Sequence, residues 1–314
     1  MEILTPEVYN RATLEGRYMN QKMKATMFII IAGVCWGIIG LFSRILSAGG
    51  LSSVQITATR CMVTAVCIVI YSLITNQDAL RIKIKDLWYF LGTGICSIVF
   101  FNICYFITIQ QLTLSMAAVL LYLAPCFVMI MSALFFKEQV TVPKVIALLM
   151  AFTGCFLTTG IVGGGSITMT RVGVLTGISS GFGYALYSIF GRAALRKYST
   201  LTVTAYTFIV ASIALIPFCH IRELVSKACS GKTMVVSVLL LGVISTLVPF
   251  LLYTKGLETI ESGKASVMAF IEPMVATIAG IIIFKEAMTM QSILGIILIF
   301  CSIVLLNIKI NLNK

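Results

Sequence analysis

Residues 117–141 and 265–289 carry one pattern twice, 148 positions apart. Ala117, Val119, Pro125, Ile130, Phe136, Lys137, Glu138 and Thr141 match Ala265, Val267, Pro273, Ile278, Phe284, Lys285, Glu286 and Thr289 without a gap. The same offset pairs Gly33, Phe42 and Arg44 with Gly181, Phe190 and Arg192. It also pairs Ser97 and Tyr105 with Ser245 and Tyr253, and sets Trp36 against Tyr184. Whatever the first half of the chain builds, the second half builds again.

The apolar runs say what is built. Ten can be drawn, roughly 25–47, 54–75, 87–109, 114–136, 142–161, 172–191, 201–220, 234–254, 264–284 and 289–308. Each is about 20 residues, the length at which a helix crosses hydrocarbon. Only 11% of the 314 residues are charged and 59% are hydrophobic, where a soluble domain carries roughly 25% charged residues. The expected fold is an all-α membrane protein, ten transmembrane helices in two five-helix repeats. Residues 1–24 are a polar N-terminal segment without a signal-peptide pattern, 25–162 the first repeat and 171–308 the second. Five is odd, so the second repeat enters the bilayer with the opposite orientation. Inverted repeats are a design of secondary transporters, whose halves exchange conformations around one midplane site.

Net charge is +12, and its placement speaks for membrane orientation rather than nucleic acid. With a cytoplasmic N-terminus, sixteen Lys and Arg fall in inside segments and six in outside segments, with Arg60 within a span. The positive-inside rule then puts both termini in the cytoplasm. The ten cysteines lie mostly inside apolar runs with no CxxC. They read as small packing residues, not as disulfides or metal ligands.

Several residues stand out against this background. Glu272 is an acid in mid-membrane, expensive there and by default a functional candidate. It can bind a solute amine, carry a coupling proton, or cap and pack a broken helix. Ala124 occupies its place in the first repeat. Pro125 and Pro273 weaken two repeat-related helices, as hinges or as static kinks. Trp36, Tyr184 and Tyr187 are amphipathic aromatics suited to a cavity wall, and Asn102 is a polar group wanting a partner or a solute. Tyr105 and Tyr253 lie near helix ends, the place of a gate or an interfacial belt. Arg60 sits about 10 Å into its helix. It can neutralise a carboxylate on a solute or pair with Glu272, but its depth fits snorkelling to the outer interface, or bonding helix-end carbonyls, better. Gly33 with Gly37, and Gly177 with Gly181, suit close helix packing. Lys137-Glu138 and Lys285-Glu286 are expected to cap and pair at the interface, with a gate as the alternative role and not as substrate ligands.

Taken together, the chain resembles the drug/metabolite transporter superfamily, EamA type. The resemblance rests on ten spans in two related halves, Gly33-Val-Cys-Trp36-Gly, Arg60, Leu123-Ala-Pro125 with Phe136-Lys-Glu138, and Tyr253-Thr-Lys-Gly-Leu257. It rests most on Ala269-Phe-Ile-Glu-Pro273 followed by Phe284-Lys-Glu286 and Gln291-Ser-Ile-Leu-Gly295. Ala147 departs from the glycine usual in that pattern, a matter of packing. The resemblance implies export of amino acids and related metabolites by alternating access. The expected setting is the plasma (inner) membrane, with a small solute and the lipid bilayer as partners and protons as a coupling ion. No cofactor, metal or nucleic acid is expected. No HExxH, P-loop or paired membrane aspartates point to an enzyme. Two alternatives are a non-transporting membrane scaffold or sensor, and a sugar-phosphate or nucleotide-sugar-like carrier. The latter wants a strongly basic cavity.

Overall fold

A computed structural model of the chain describes residues 6–159 and 170–308, with side chains from Met19 onward. The first five residues of the N-terminal segment, the end of the first repeat at residue 162, and Lys309 and Lys314 lie outside the described residues. All regular structure among the described residues is helical. Among the described residues nine helices are long and apolar enough to cross a membrane: α1 (Met19–Ala48), α2 (Ser53–Thr75), α3 (Ile84–Gln111), α4 (Leu114–Phe136), α6 (Arg171–Ala194), α7 (Thr200–Phe218), α8 (Lys232–Leu257), α9 (Ser262–Phe284) and α10 (Met290–Asn307). Between α4 and α6 lies α5 (Val142–Thr158), apolar and 17 residues long, about 25 Å at the helical rise. The helix that becomes α1 already runs from Pro6 and is interrupted at Ile38.

The repeat seen in sequence is repeated in backbone detail. Lys137 and Lys285 end α4 and α9, both left-handed with φ of 57°. That conformation is uncommon for a residue with a side chain. Thr141 and Thr289 precede α5 and α10, both extended with φ of −94°. Their caps differ, because residue 292 is a serine and its repeat mate 144 a lysine. Thr289 and Ser292 form a reciprocal capping box, whereas Thr141 makes no side-chain cap and Lys144 pairs with Glu261.

Packing follows the same two-fold logic. Helices α2 and α7, α4 and α9, and α5 and α10 pair as repeat mates. The contacts of α1 with α8 and α9 are matched by those of α6 with α3 and α4. The pairs run antiparallel where glycines fix their approach. Gly154 in the last turns of α5 meets the start of α10, so close that an added Cβ would lie 2.7 Å from the Gly295 carbonyl oxygen. Gly263 at the start of α9 faces Ser132 at the end of α4. In these two pairs the repeat mates therefore run in opposite senses.

Two interruptions per repeat face the centre. Helix α3 widens into a π-helical stretch at Gly92–Val99, and α8 does so at Val243–Leu247. Ser97 and Ser245 sit inside these stretches, and such bulges recur at functional sites. Helix α4 breaks between Leu121 and Ala124, and α9 between Met268 and Ile271. Pro125 and Pro273 lie just past the breaks, in the first turn of the new segment. There a missing N–H costs no helix bond.

Candidate functional site

The breaks in α4 and α9 meet at the middle of the bundle. Tyr122 and Phe270, repeat mates at the two breaks, face each other with ring centroids 5.8 Å apart. Glycine lets neighbouring helices press onto both. A Cβ on Gly33 would overlap Ile271 and lie 3.5 Å from the Ala269 carbonyl oxygen and 3.6 Å from the Glu272 nitrogen. A Cβ on Gly181 would lie 3.1 Å from the Leu121 carbonyl oxygen and 3.4 Å from the Ala124 nitrogen. These are the same atoms under the offset. The close packing expected of both glycine pairs is therefore aimed at the breaks.

Glu272 stands in the first turn of the segment Ile271–Phe284. The unpaired N–H groups of a helix start favour negative charge there. This is the physical reason a carboxylate is tolerated at this depth. It is half-buried, and the Tyr184 hydroxyl donates to its Oε2 at 3.4 Å. Arg60, Tyr105, Tyr122, Cys155 and Tyr184 all lie within its electrostatic reach. Tyr184, on α6, stacks edge-on to Phe101 with centroids 5.4 Å apart.

Beside this acid lies an aromatic cluster. Trp36 packs edge-on to Phe250 at 5.2 Å and tilted against Tyr253 at 5.3 Å. Phe250 also meets Tyr187 and Phe208, each at 4.9 Å. A cavity of about 20 Å³ remains between Trp36, Ser97, Phe101, Tyr184 and Tyr253, room for about one water molecule. The aromatic side chains pack against one another.

Not every sequence candidate faces this cavity with a free polar group. Asn102 spends both ends of its amide inside the protein, accepting from Thr57 at 3.2 Å and donating to the Ile98 carbonyl at 2.7 Å. The Tyr187 hydroxyl is 2.6 Å from Thr254 Oγ1. Both hold the wall in shape. Tyr253 is not at a helix-end rim. It is 3% exposed, under Trp36 and 2.9 Å from Ser188 Oγ, because α1 lies against the last turns of α8. Tyr105 is half-buried near Glu272.

Arg60 departs most from expectation. It does not snorkel to an interface: it is 8% exposed. The reason is its helix face. Thr57 and Thr64, one turn to either side, bond to Asn102 and to the Gly242 carbonyl, so this stripe of α2 points at α3 and α8. Periodicity across Thr57, Arg60 and Thr64 was the available signal.

The two ends of α4 and α9 are unlike. At one end Glu138 receives backbone N–H bonds from Ser262 at 2.8 Å and Gly263 at 3.1 Å. Arg192 donates there to the carbonyls of Leu257 and of Ile260, the latter at 2.7 Å, and Lys144 pairs with Glu261. At the other end Glu286 pairs only with Arg44 at 2.9 Å, both about half exposed. There the start of α4 and the end of α9 hardly touch.

The sequence profile of the EamA-like transporter family matches this chain twice, over residues 23–160 and 171–308. The chain belongs to the EamA-like transporter family. It is 30% identical over 240 residues to an uncharacterized transporter of Archaeoglobus fulgidus, covering 74% of this chain and 80% of that one. It is 25% identical to the uncharacterized inner membrane transporter YicL of Salmonella typhimurium, over 92% of this chain and 97% of that one. To the uncharacterized transporter YxxF of Bacillus subtilis it is also 25% identical, over 91% and 90%. A crystal structure 19% identical in sequence shares the fold, with a TM-score of 0.77 over 90% of this chain and 96% of that one. The protein is a multi-pass membrane transporter, consistent with the drug/metabolite transporter superfamily.

Proposed function

We propose that the protein is a secondary transporter that moves small metabolites, amino acids or related compounds, out across the plasma membrane by alternating access. Ten membrane crossings in two inverted repeats enclose one central site. Trp36 and Tyr184 form its aromatic wall, and Glu272 its charged group, binding a solute amine or a coupling proton. The observation that carries this reading is the inequality of repeat-related ends. With the basic residues placed by the positive-inside rule, the end sealed by Glu138 and Arg192 is cytoplasmic and the parted end is external. The conformation is then outward-facing.

Inverted repeats supply the opposite conformation by exchange of roles. Carried back 148 positions, Ser262 and Gly263 become Leu114 and Ser115, and Leu257 and Ile260 become Ile109 and Leu112. In the inward-facing state Glu286 takes the N–H groups of Leu114 and Ser115, and Arg44 takes the carbonyls of Ile109 and Leu112. Glu138 and Arg192 are released. Helices α4 and α9 rock about the Tyr122–Phe270 contact.

Counterflow in proteoliposomes tests the reading. A labelled pool of the twenty amino acids should enter vesicles preloaded with the unlabelled pool, saturably and with competition. Glu272→Gln, folded, should lose that uptake. Wild-type protein that moves none of the pool would remove the amino-acid assignment, and a wider panel of metabolites that also fails would remove transport.

A further inference from the structure

We infer that Arg60 is the anchor for a carboxylate on the transported solute. The assignment rests on the transport reading above and adds a recognition element to its central site.

A guanidinium in mid-membrane needs a partner, because an unpaired buried charge is costly. Arg60 is more than nine-tenths buried. Its Nε has no acceptor. Among the described residues no ion pair reaches it, and Glu272, the acid within its electrostatic reach, is engaged instead by Tyr184. The two mid-membrane charges thus lie near one another without pairing. Elsewhere the same chain satisfies other arginines: Arg192 holds two carbonyls and Arg44 a carboxylate. Arg171 and Arg222 also have no partner among the described residues, but they are exposed; among the described arginines Arg60 is the one buried without one.

The repeat makes the arrangement more telling. Offsetting Arg60 and Asn102 by 148 gives Phe208 and Phe250, which stack edge-on in the aromatic cluster. Offsetting Glu272 back gives Ala124. Each repeat contributes one charge of opposite sign, and each charge has an apolar residue as its mate. The two repeats share one scaffold, but they differ at its centre: Arg60 and Glu272 lie near one another, and Tyr184, which bonds Glu272, also lines the small aromatic cavity. Such a pair of charges beside an aromatic wall fits a small molecule with a carboxylate and an ammonium at one end and an apolar body at the other. Arg60, planar and permanently charged, presents paired donors matched to a carboxylate. Glu272 faces the ammonium.

Three labelled pools in wild-type proteoliposomes test this: the twenty amino acids, the amines left when their carboxylates are removed, and monocarboxylates without an amine. The amino-acid pool should move at least tenfold faster than the amine pool. Arg60→Gln should lower amino-acid uptake at least tenfold and abolish the preference over amines, with an unfolding temperature equal to or above wild type. Arg60→Lys, which keeps charge without the fork, should fall between. An amine pool moved as fast as the amino acids would overturn the anchor and leave transport standing, as would Arg60→Gln with unaltered preference. If no pool is moved, the amino-acid assignment fails and the anchor with it, and transport is decided by the wider panel of metabolites. Should Arg60→Gln not fold, the wild-type preference and the Arg60→Lys rate decide.

Discussion

Glu138 and Glu286 stand at the same place in the two repeats, after the same left-handed lysine, and hold different partners. Glu138 takes two backbone N–H groups at the start of α9. Glu286 folds back over Gly280 and pairs with exposed Arg44. Arg192 and Arg44 differ in the same way. Equal sequence in unequal bonding is what the proposed alternating access expects, with the two sets exchanging partners between its two states.

The contrast can be broken at its stronger end first. Glu138→Ala leaves two N–H groups of α9 without an acceptor, at a cost on the order of 2 kcal/mol or roughly thirtyfold in the balance of the two arrangements. Spin labels at Val140 and Thr259 should then show a longer distance population by pulsed electron resonance. An unchanged distribution would mean the contact seals nothing. Arg192→Ala should open the same end, and the double variant with Glu138→Ala should open it little further than either alone, since both act on one closure.

At the weaker end, Glu286→Ala removes an exposed ion pair worth at most about 1 kcal/mol. The resting distance at the Glu138 end should therefore stay as in wild type. Flux should nevertheless fall, because the acceptor needed to seal the outer end is gone. Full flux in that variant would break the symmetry between the two glutamates. The glycines are separated by stability rather than by flux. Gly33→Ala forces its methyl into Ile271 and should cost roughly 1–3 kcal/mol by overpacking, read as a lowered unfolding temperature. Gly263→Ala meets its nearest atom, Ser132 Oγ, at 3.4 Å and should be nearly silent.

Much of this was legible beforehand. Apolar length matches nine helices long enough to span and a shorter apolar one among the described residues, and the gapless offset matches the two stretches of the family profile, because hydropathy and spacing survive without knowledge of contacts. The breaks were legible only in part. Pro125 and Pro273 marked the right turn of each helix, but the chain leaves the helix three or four residues earlier and restarts with proline in the tolerated first turn. The π-helical stretches had no composition to announce them beyond the repeated Ser97 and Ser245. Arg60 was misjudged from depth alone, since depth says how far a side chain must reach and not which face carries it. Tyr253 was misjudged for a similar reason: nearness to a helix end does not tell which neighbour lies over that end. Partners and facing depend on tertiary packing, and one sequence records them only where polar residues fall at helical spacing, as Thr57, Arg60 and Thr64 do.

The central claim is that closure at the Glu138 end must open for transport. Ser132 and Gly263 face each other across that closure, so the pair Ser132→Cys and Gly263→Cys can be joined by a disulfide, its formation verified by mass spectrometry. Counterflow of the labelled amino-acid pool should stop when the pair is oxidised and return on reduction. A verified cross-linked protein that transports at the wild-type rate would contradict the account.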